Sequence, residues 1–452
     1  MAGLRRNLGL IEALALSLAI IAPTMAMSFN VTLAAGVAGP AAPLAFAIGT
    51  LALAVVGLSF VAFSRRIAHA GSAYAYIALT FGPRAGFLTG WALLLTYLVY
   101  GAGTCVLVGN FVDAALSDYG IRVPGLWLAV SVLALVLSIV LAWCDMRLAA
   151  RLMLALEGLS VLAILVLGVL VLRDATTELS LAPFVPAEGP GWSGVGYAMV
   201  FAVLSFAGFE GATTLAEETA DPRRTIPLAV LGTVILTGVF YVFASYMQVV
   251  GFGLDHVDAL AADAAPLNTL ALRFASRELA TLLDIAAALS AFACTLGSLS
   301  AGARMLFALG RAGLAPGLDA VHPRHGTPAA AVLVMGGLML AGCLLLAPLA
   351  GAGAYYGAMG TIGTLALLLV YMGVSGAEAV QALRDRRAGA VATGLAGVLL
   401  MLWPFYNALV PAPAWPANLW PWVVAAFLVA GLWLLWLRPA TARFVAQPPE
   451  RT

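Results

Sequence analysis

Apolar runs of about 20 residues recur along nearly the whole chain, each long enough to cross the ~30 Å hydrocarbon core of a bilayer as an α-helix. Of the 452 residues, 63% are hydrophobic and only 10% are charged, whereas a soluble protein carries roughly 25% charged residues. A transmembrane β-barrel would instead show alternating segments of about ten residues, and the sequence lacks that pattern. We therefore predict an all-α integral membrane protein.

We predict twelve transmembrane helices in one polytopic domain, residues 1–452. No connection is long and polar enough to form a soluble domain. The start, Arg5-Arg6 and an apolar run, resembles a signal peptide, but the run carries Glu12 and lacks a convincing cleavage site, so we interpret it as the first helix. The predicted spans are 10–36, 43–63, 87–114, 124–143, 148–173, 194–216, 226–250, 281–309, 327–347, 355–375, 390–410 and 419–437.

The arginines predict the orientation of the chain. All 22 basic residues are arginine, and a cytoplasmic N-terminus puts eighteen of them on the inner side. This asymmetry follows the positive-inside rule, so we predict a multi-pass protein of the bacterial inner (plasma) membrane with both termini in the cytoplasm. The arginines on the outer side are Arg122, Arg173, Arg273 and Arg277.

Two of the apolar segments are interrupted by residues that membrane helices avoid. The interruptions read Ile21-Ala22-Pro23-Thr24-Met25-Ala26-Met27 and Ser205-Phe206-Ala207-Gly208-Phe209-Glu210-Gly211. A broken helix at membrane depth is tolerated only where it is buried or lines a cavity. Breaks at corresponding places in two halves of a chain indicate a transporter binding site. We therefore predict inverted repeats at about 10–173 and 194–375, with additional helices at about 390–437.

Three stretches resemble signatures of the amino acid–polyamine–organocation transporter family. Residues 206–227, FAGFEGATTLAEETADPRRTIP, are similar to its sixth-helix signature. Residues 70–76, AGSAYAY, match the segment after its second helix. Residues 297–313, running on to Gly326-Thr327-Pro328, are similar to its eighth helix and the following loop. The likeness covers the whole chain in the order of the family's motifs.

The resemblance implies a five-plus-five inverted-repeat fold with two added helices and a mid-membrane substrate site between broken helices 1 and 6. It implies transport by alternating access without a cofactor. Family members usually break helix 1 with a Gly-Ser-Gly type sequence, where this chain reads Pro23-Thr24-Met25. Proline also opens a helix, because it removes a donor and clashes with the preceding turn, but it leaves less room for a backbone to approach the substrate.

An α-amino acid presents a carboxylate and an ammonium, and the breaks offer partners for both. The half-helix from Thr24 to Met27 would give N–H groups and a positive dipole end to the carboxylate. Carbonyls near Ala22 and Ser205 would hold the ammonium. The alternative is that Pro23 makes a simple kink. The predicted substrate-binding residues are Ile21, Ala22, Pro23, Thr24, Met25, Ala26, Met27, Ser205, Phe206, Gly208 and Phe209.

Aromatic side chains near the breaks are candidates for shaping and gating the pocket. Most aromatic residues in such a chain serve packing or the interfacial belts, so only Phe206 and Phe209, which lie in a break, are strong candidates. The weaker ones are Trp91, Tyr97, Tyr100, Tyr355 and Tyr356.

Two glutamates are predicted at membrane depth, where a carboxylate is costly and usually functional. Burial disfavours the charged form, so Glu157 and Glu210 are candidates for carrying a proton. The alternatives are that Glu210 bonds neighbouring backbone and that Glu157 pairs with Arg147 or Arg151. Many proton-dependent relatives place a lysine in helix 5, which falls near Ser160 here. Glu157 and Ser160 share one helix face.

A sodium site is the weaker alternative to proton coupling. It would use the carbonyls of Ala22 and Met25 with the hydroxyls of Ser290, Thr295 and Ser298, although small hydroxyls also serve close helix packing. No resident metal is predicted, because the four cysteines form no CxxC pair or Cys/His cluster. The motif Glu217-Glu218 with Arg223-Arg224 is interpreted as a loop clamp.

We predict a secondary transporter of amino acids, with neutral ones first, driven by a proton gradient. The alternatives are an amino acid/amine exchanger and a polyamine or organocation transporter; the different-class alternatives are a transport-inactive membrane sensor or a membrane-embedded enzyme. The sequence predicts no enzyme, since it shows no converging cluster of nucleophile, metal ligands or acid and base. The predicted partners are the small-molecule substrate, the lipid bilayer and H⁺, and no nucleic acid.

Overall fold

The computed structural model describes residues 10, 14, 17, 18, 21–65, 72–144, 147–174, 176–186, 190–210, 213, 219, 221–311, 313–315, 317–322 and 326–439, with the side chains of 72, 147–156 and 222 left aside. Up to residue 173 the helices are α1 (Pro23–Ala38), α2 (Ala42–Ser64), α3 (Ser72–Phe81), α4 (Pro83–Ser117), α5 (Leu126–Cys144) and α6 (Arg147–Arg173). The next eight are α7 (Gly191–Ser205), α8 (Pro222–Phe252), α9 (Val257–Ala262), α10 (Pro266–Phe274), α11 (Arg277–Arg311), α12 (Ala329–Leu345), α13 (Ala347–Ala350) and α14 (Ala352–Arg384). The last two are α15 (Ala388–Asn407) and α16 (Trp420–Leu437).

Within the described residues, nine helical stretches are long and apolar enough to cross a membrane. One of them, Pro23–Ser64, joins α1 and α2 through a short turn and covers two predicted spans. The α7 helix is shorter, at 15 residues, and α6 is not among the nine. The all-helical membrane class is thus confirmed, while the twelve-span count and the inverted repeat stay predictions.

The helices differ in how much of their surface other helices cover. In the most apolar part of α4, 89% of the residues are buried, against 17% in the stretch Ala417–Leu437 that contains α16. The α4 helix packs against α11 and α14, while α1 packs against α7. A covered inner group and an outer group with exposed leucines, valines and tryptophans agree with a bundle whose rim faces lipid.

Candidate functional site

The first break is a single residue, Ala22, between Ile21 and the start of α1. Its φ of 49° and ψ of 62° are left-handed, an unusual conformation for a residue with a Cβ atom. Pro23 follows as the first residue of α1, where the N–H that proline lacks would have no helical partner anyway. The interruption is therefore narrower than the predicted segment, since residues from Pro23 onward are helical.

The second break begins where α7 ends, at Ser205. The next three residues form a turn, in which Gly208 has a φ of +103°. Glycine adopts that conformation without the steric cost that a side chain brings. Phe209 and Glu210 continue as one short helical turn, and Gly211 lies outside the described residues.

The N-terminus of α1 holds a carboxylate from the protein itself. The Thr24 N–H donates to Glu157 Oε1 at 2.6 Å, and the Met25 N–H donates to Ser290 Oγ at 3.2 Å. Glu157 comes from α6 and is 7% exposed. A negative group at a helix N-terminus is favoured by the free N–H groups and the helix dipole, so the Glu157 side chain occupies the place predicted for a substrate carboxylate.

Hydrogen bonds connect the second break to the chain on both sides of Ala22. The Asn30 amide, in the regular part of α1, donates to Ser205 Oγ at 2.7 Å, and the Tyr356 hydroxyl of α14 donates to Asn30 Oδ1 at 2.7 Å. The Tyr241 hydroxyl of α8 donates to the Ser205 carbonyl at 2.7 Å. The Ser17 hydroxyl, before Ala22, donates to the Phe209 carbonyl at 3.3 Å. The second break is thus bonded, through buried polar groups, to the segments that flank the first.

Glu210 lies on the other side of the second break and meets a different partner. The Tyr371 hydroxyl of α14 donates to Glu210 Oε2 at 2.9 Å, and the glutamate is 7% exposed. Phe209 packs edge-on against Tyr371 and Phe60, with ring centroids 5.4 and 5.5 Å away. The second break is thus closed on this side by a hydrogen bond and an aromatic cluster.

The other predicted aromatic residues divide into two groups. Phe206 is fully buried and packs against Tyr241 at 4.8 Å, and the Tyr356 hydroxyl lies 3.8 Å from Met25 Sδ in the first turn of α1. Trp91 lies elsewhere, because its indole stacks on Phe427 of α16 at 4.7 Å and donates to the Phe427 carbonyl. Trp91 therefore joins α16 to α4 instead of lining the breaks.

The groups proposed for a sodium site already have protein partners. The Ala22 carbonyl accepts from the Ala26 N–H at 3.0 Å, and Ser290 Oγ accepts from Met25. The Thr295 hydroxyl donates to the Ala291 carbonyl and lies 3.0 Å from Thr104 Oγ1. These bonds place Ser290 at a helix terminus and Thr295 in a contact between helices, and the sodium site stays a prediction.

Several predicted contacts cannot be placed. The pairing of Glu157 with Arg147 or Arg151 concerns side chains outside the described residues, as does the Glu217-Glu218 part of the loop clamp. Ser160 is buried on the same helix as Glu157. His, Cys, Asp and Glu side chains form no group of three suited to a metal among the described residues.

Four residues that form hydrogen bonds near the breaks were not among the predicted site residues. Asn30, Tyr241 and Tyr371 make the bonds described above, and Gln248 of α8 donates to the Met27 carbonyl at 3.0 Å. Asn30 and Gln248 are amides within apolar runs, which is the kind of signal that could have flagged them. Their partners could not be found that way, because the partners lie in distant parts of the chain.

Sequence comparisons with known proteins give independent information about the chain. The sequence profile of the family described as "Amino acid permease" matches residues 13–442. The branched-chain amino acid permease BcaP of Lactococcus lactis is 26% identical over 336 residues, which are 70% of this chain and 70% of that protein. The low-affinity putrescine importer PlaP of Escherichia coli is 26% identical, covering 75% and 74%. The methylthioribose transporter of Bacillus subtilis is 25% identical, covering 72% of each chain.

Proposed function

Because this chain belongs to the amino acid permease family, we propose that it is a secondary transporter of amino acids or related amines in the bacterial inner membrane. The names of similar proteins, a branched-chain amino acid permease and a putrescine importer, support a small substrate with an ammonium group. Neutral amino acids come first, since a polyamine calls for several carboxylates and the sequence predicts only Glu157 and Glu210 at depth.

One observation carries this proposal: α1, which begins at the first break, bonds through Asn30 to Ser205, where α7 ends and the second break begins. Irregular backbone at membrane depth requires protein or a cavity around it. Interrupted helices supply half-helix termini and free carbonyls at the substrate sites of transporters. The start of α1 would hold a substrate carboxylate in this way once the side chains now bonded to its amides move.

Alternating access is supported by the closure of the site. Ile21, Met25, Phe206 and Phe209 are each 0% exposed, so a substrate between the breaks is shielded from both sides of the bundle. Entry and exit then require the surrounding helices to move. We propose that α1 and α7 rearrange together, because the Asn30–Ser205 bond joins them.

Proton-driven uptake is our first proposal for energy coupling. The buried carboxyls of Glu157 and Glu210 lie at the two breaks, and ionisable groups at membrane depth commonly mark proton relays. An exchanger of amino acids or amines is the second candidate. Its support is the range of substrates in the names of similar proteins.

The test is uptake of a labelled amino acid mixture into proteoliposomes in sodium-free buffer, with and without an inward-directed proton gradient. The proposal expects uptake that the gradient stimulates. Uptake that needs sodium, or that needs substrate inside the vesicle, would replace proton coupling with a sodium site or with exchange. Uptake of amines alone would contradict the neutral amino acid assignment, and a lack of uptake of either class would contradict the proposed function.

A further inference from the structure

The amides that would receive a substrate carboxylate are already satisfied. Pro23 has no N–H, Thr24 donates to Glu157 and Met25 donates to Ser290. The Ala26 N–H donates to the Ala22 carbonyl at 3.0 Å. A substrate carboxylate therefore finds no free N–H group in the first turn of α1 until Glu157 moves away.

An unsatisfied group beside this turn also indicates a ligand. The Gln248 amide nitrogen donates to the Met27 carbonyl, but the side-chain oxygen of Gln248 is buried without a hydrogen-bond partner among the described residues. Buried polar atoms are usually satisfied, and an exception needs an explanation. A substrate ammonium could donate a hydrogen bond to this oxygen, which lies on a side chain bonded to the second turn of α1.

We propose that the substrate carboxylate and the Glu157 carboxylate compete for the N-terminus of α1, and that Glu157 leaves it by taking up one proton. This inference rests on the proposed function. Protonation removes the negative charge that the helix terminus attracts. Two carboxylates at one terminus would repel each other, so the substrate replaces one negative charge with another and the proton remains on Glu157.

The charges around Glu157 are consistent with this exchange. Its helix, α6, packs against α1, α8, α10 and α11. The titratable side chains that face it are Tyr241 of α8 and Cys294 of α11, and α1 carries none. On α10, the guanidinium of Arg273 donates to the Gly251 carbonyl at 3.1 Å. None of these described groups is a cation bonded to Glu157, and the positive partner that the structure gives its carboxylate is the N-terminus of α1.

The proposal couples one proton to one substrate molecule. The substrate and the proton enter from the same side of the membrane, because Glu157 must be protonated before the substrate carboxylate can replace it at the N-terminus of α1. When the substrate leaves on the other side, the emptied terminus attracts Glu157 again, and the returning carboxylate releases its proton there. Glu157 would thus act as a positioning residue and a proton carrier at once.

The experiment is equilibrium binding of labelled leucine to the purified full chain, from about pH 5 to about pH 8, where leucine keeps both of its charges. Because binding takes up one proton, the affinity of the wild type for leucine should fall by as much as about tenfold for each pH unit above the pH at which Glu157 loses its proton. Glu157→Ala should bind independently of pH and more tightly than the wild type at about pH 8. Glu157→Gln keeps the shape of the side chain and should also lose the pH dependence.

Asp284→Asn is the matched control, because it removes another buried carboxyl of the bundle, one that bonds to Asn268 away from the breaks. This variant should keep the pH dependence that Glu157 causes. Isoamylamine, which lacks the carboxylate of leucine, serves as the second probe. Its affinity should not show the fall with rising pH that Glu157 causes for leucine.

Three results would overturn the proposal. One is leucine binding that is equally pH-dependent in the wild type and both Glu157 variants. Another is no gain in affinity for Glu157→Ala at about pH 8. The third is binding of isoamylamine but not leucine, lost in Glu157→Ala, which would make Glu157 a permanent partner of an amine substrate. Binding of neither probe by any variant would instead contradict the proposed function itself.

Discussion

At the scale of single residues, Ala22 shows how the first helix is broken. Its left-handed backbone brings the Cβ atom close to a carbonyl oxygen, which costs roughly 1–2 kcal/mol in an L-residue. The conformation frees the Thr24 and Met25 amides from helical partners, and Glu157 and Ser290 then bind them. Strain at this residue thus creates the anion site.

Replacing Ala22 with glycine should destabilise the protein less than the same change elsewhere in α1, because both changes remove a buried methyl group and backbone restriction but only Ala22→Gly relieves the left-handed conformation. We expect Ala22→Gly to be about 1–2 kcal/mol more stable than the control variant. Thermal unfolding in detergent measures this difference. The control is Ala34→Gly, at an equally buried position in the regular part of α1, which should destabilise by about 1 kcal/mol. Equal losses of stability in both variants would contradict backbone strain at Ala22.

At the scale of helices, Asn30 joins three elements. It connects α1 to Ser205 at the end of α7 and to Tyr356 of α14, each at 2.7 Å. Such a network fixes α1 against α7 and α14, because each partner is buried and would be costly to leave without its bond. Asn30 thus contributes to holding α1 at the end of α7.

Asn30→Ala should lower both stability and uptake. The lost bonds leave two buried hydroxyl groups without this partner, at a cost of about 1–3 kcal/mol. Unfolding and proteoliposome uptake measure the two effects. The control is Asn407→Ala, which removes a buried amide that bonds within α15, to the Trp403 carbonyl; it should spare uptake. If both variants transport equally well, Asn30 does not organise the site.

The helices themselves could be predicted because apolar length and turn residues are local signals. The predicted span 390–410 corresponds to α15, Ala388–Asn407, and the predicted 87–114 lies within α4, Pro83–Ser117. The break at Ser205 was predicted from Gly208, which indeed has a positive φ. The pairing of Thr24 with Glu157 was not, because it joins residues 133 positions apart, and the apolar pattern gives no information about which faces meet.

At the scale of the whole molecule, the site is enclosed and its two breaks come from distant parts of the chain. The family profile spans nearly the full sequence, so the helices that surround the breaks belong to the same unit. Ile21 and Phe206 are fully covered, so the proposed transport would require that unit to rearrange around the breaks. The central claim is therefore that substrate passes between the two breaks.

Counterflow of labelled amino acid in proteoliposomes tests that claim most directly, using Gly208→Leu. Leucine at Gly208 would meet a φ of +103° that side chains rarely adopt. The control is Gly337→Leu on α12, which is exposed and has open space around its Cβ position. We predict counterflow by the wild type and Gly337→Leu and its loss in Gly208→Leu. Normal counterflow and affinity in Gly208→Leu would contradict the account.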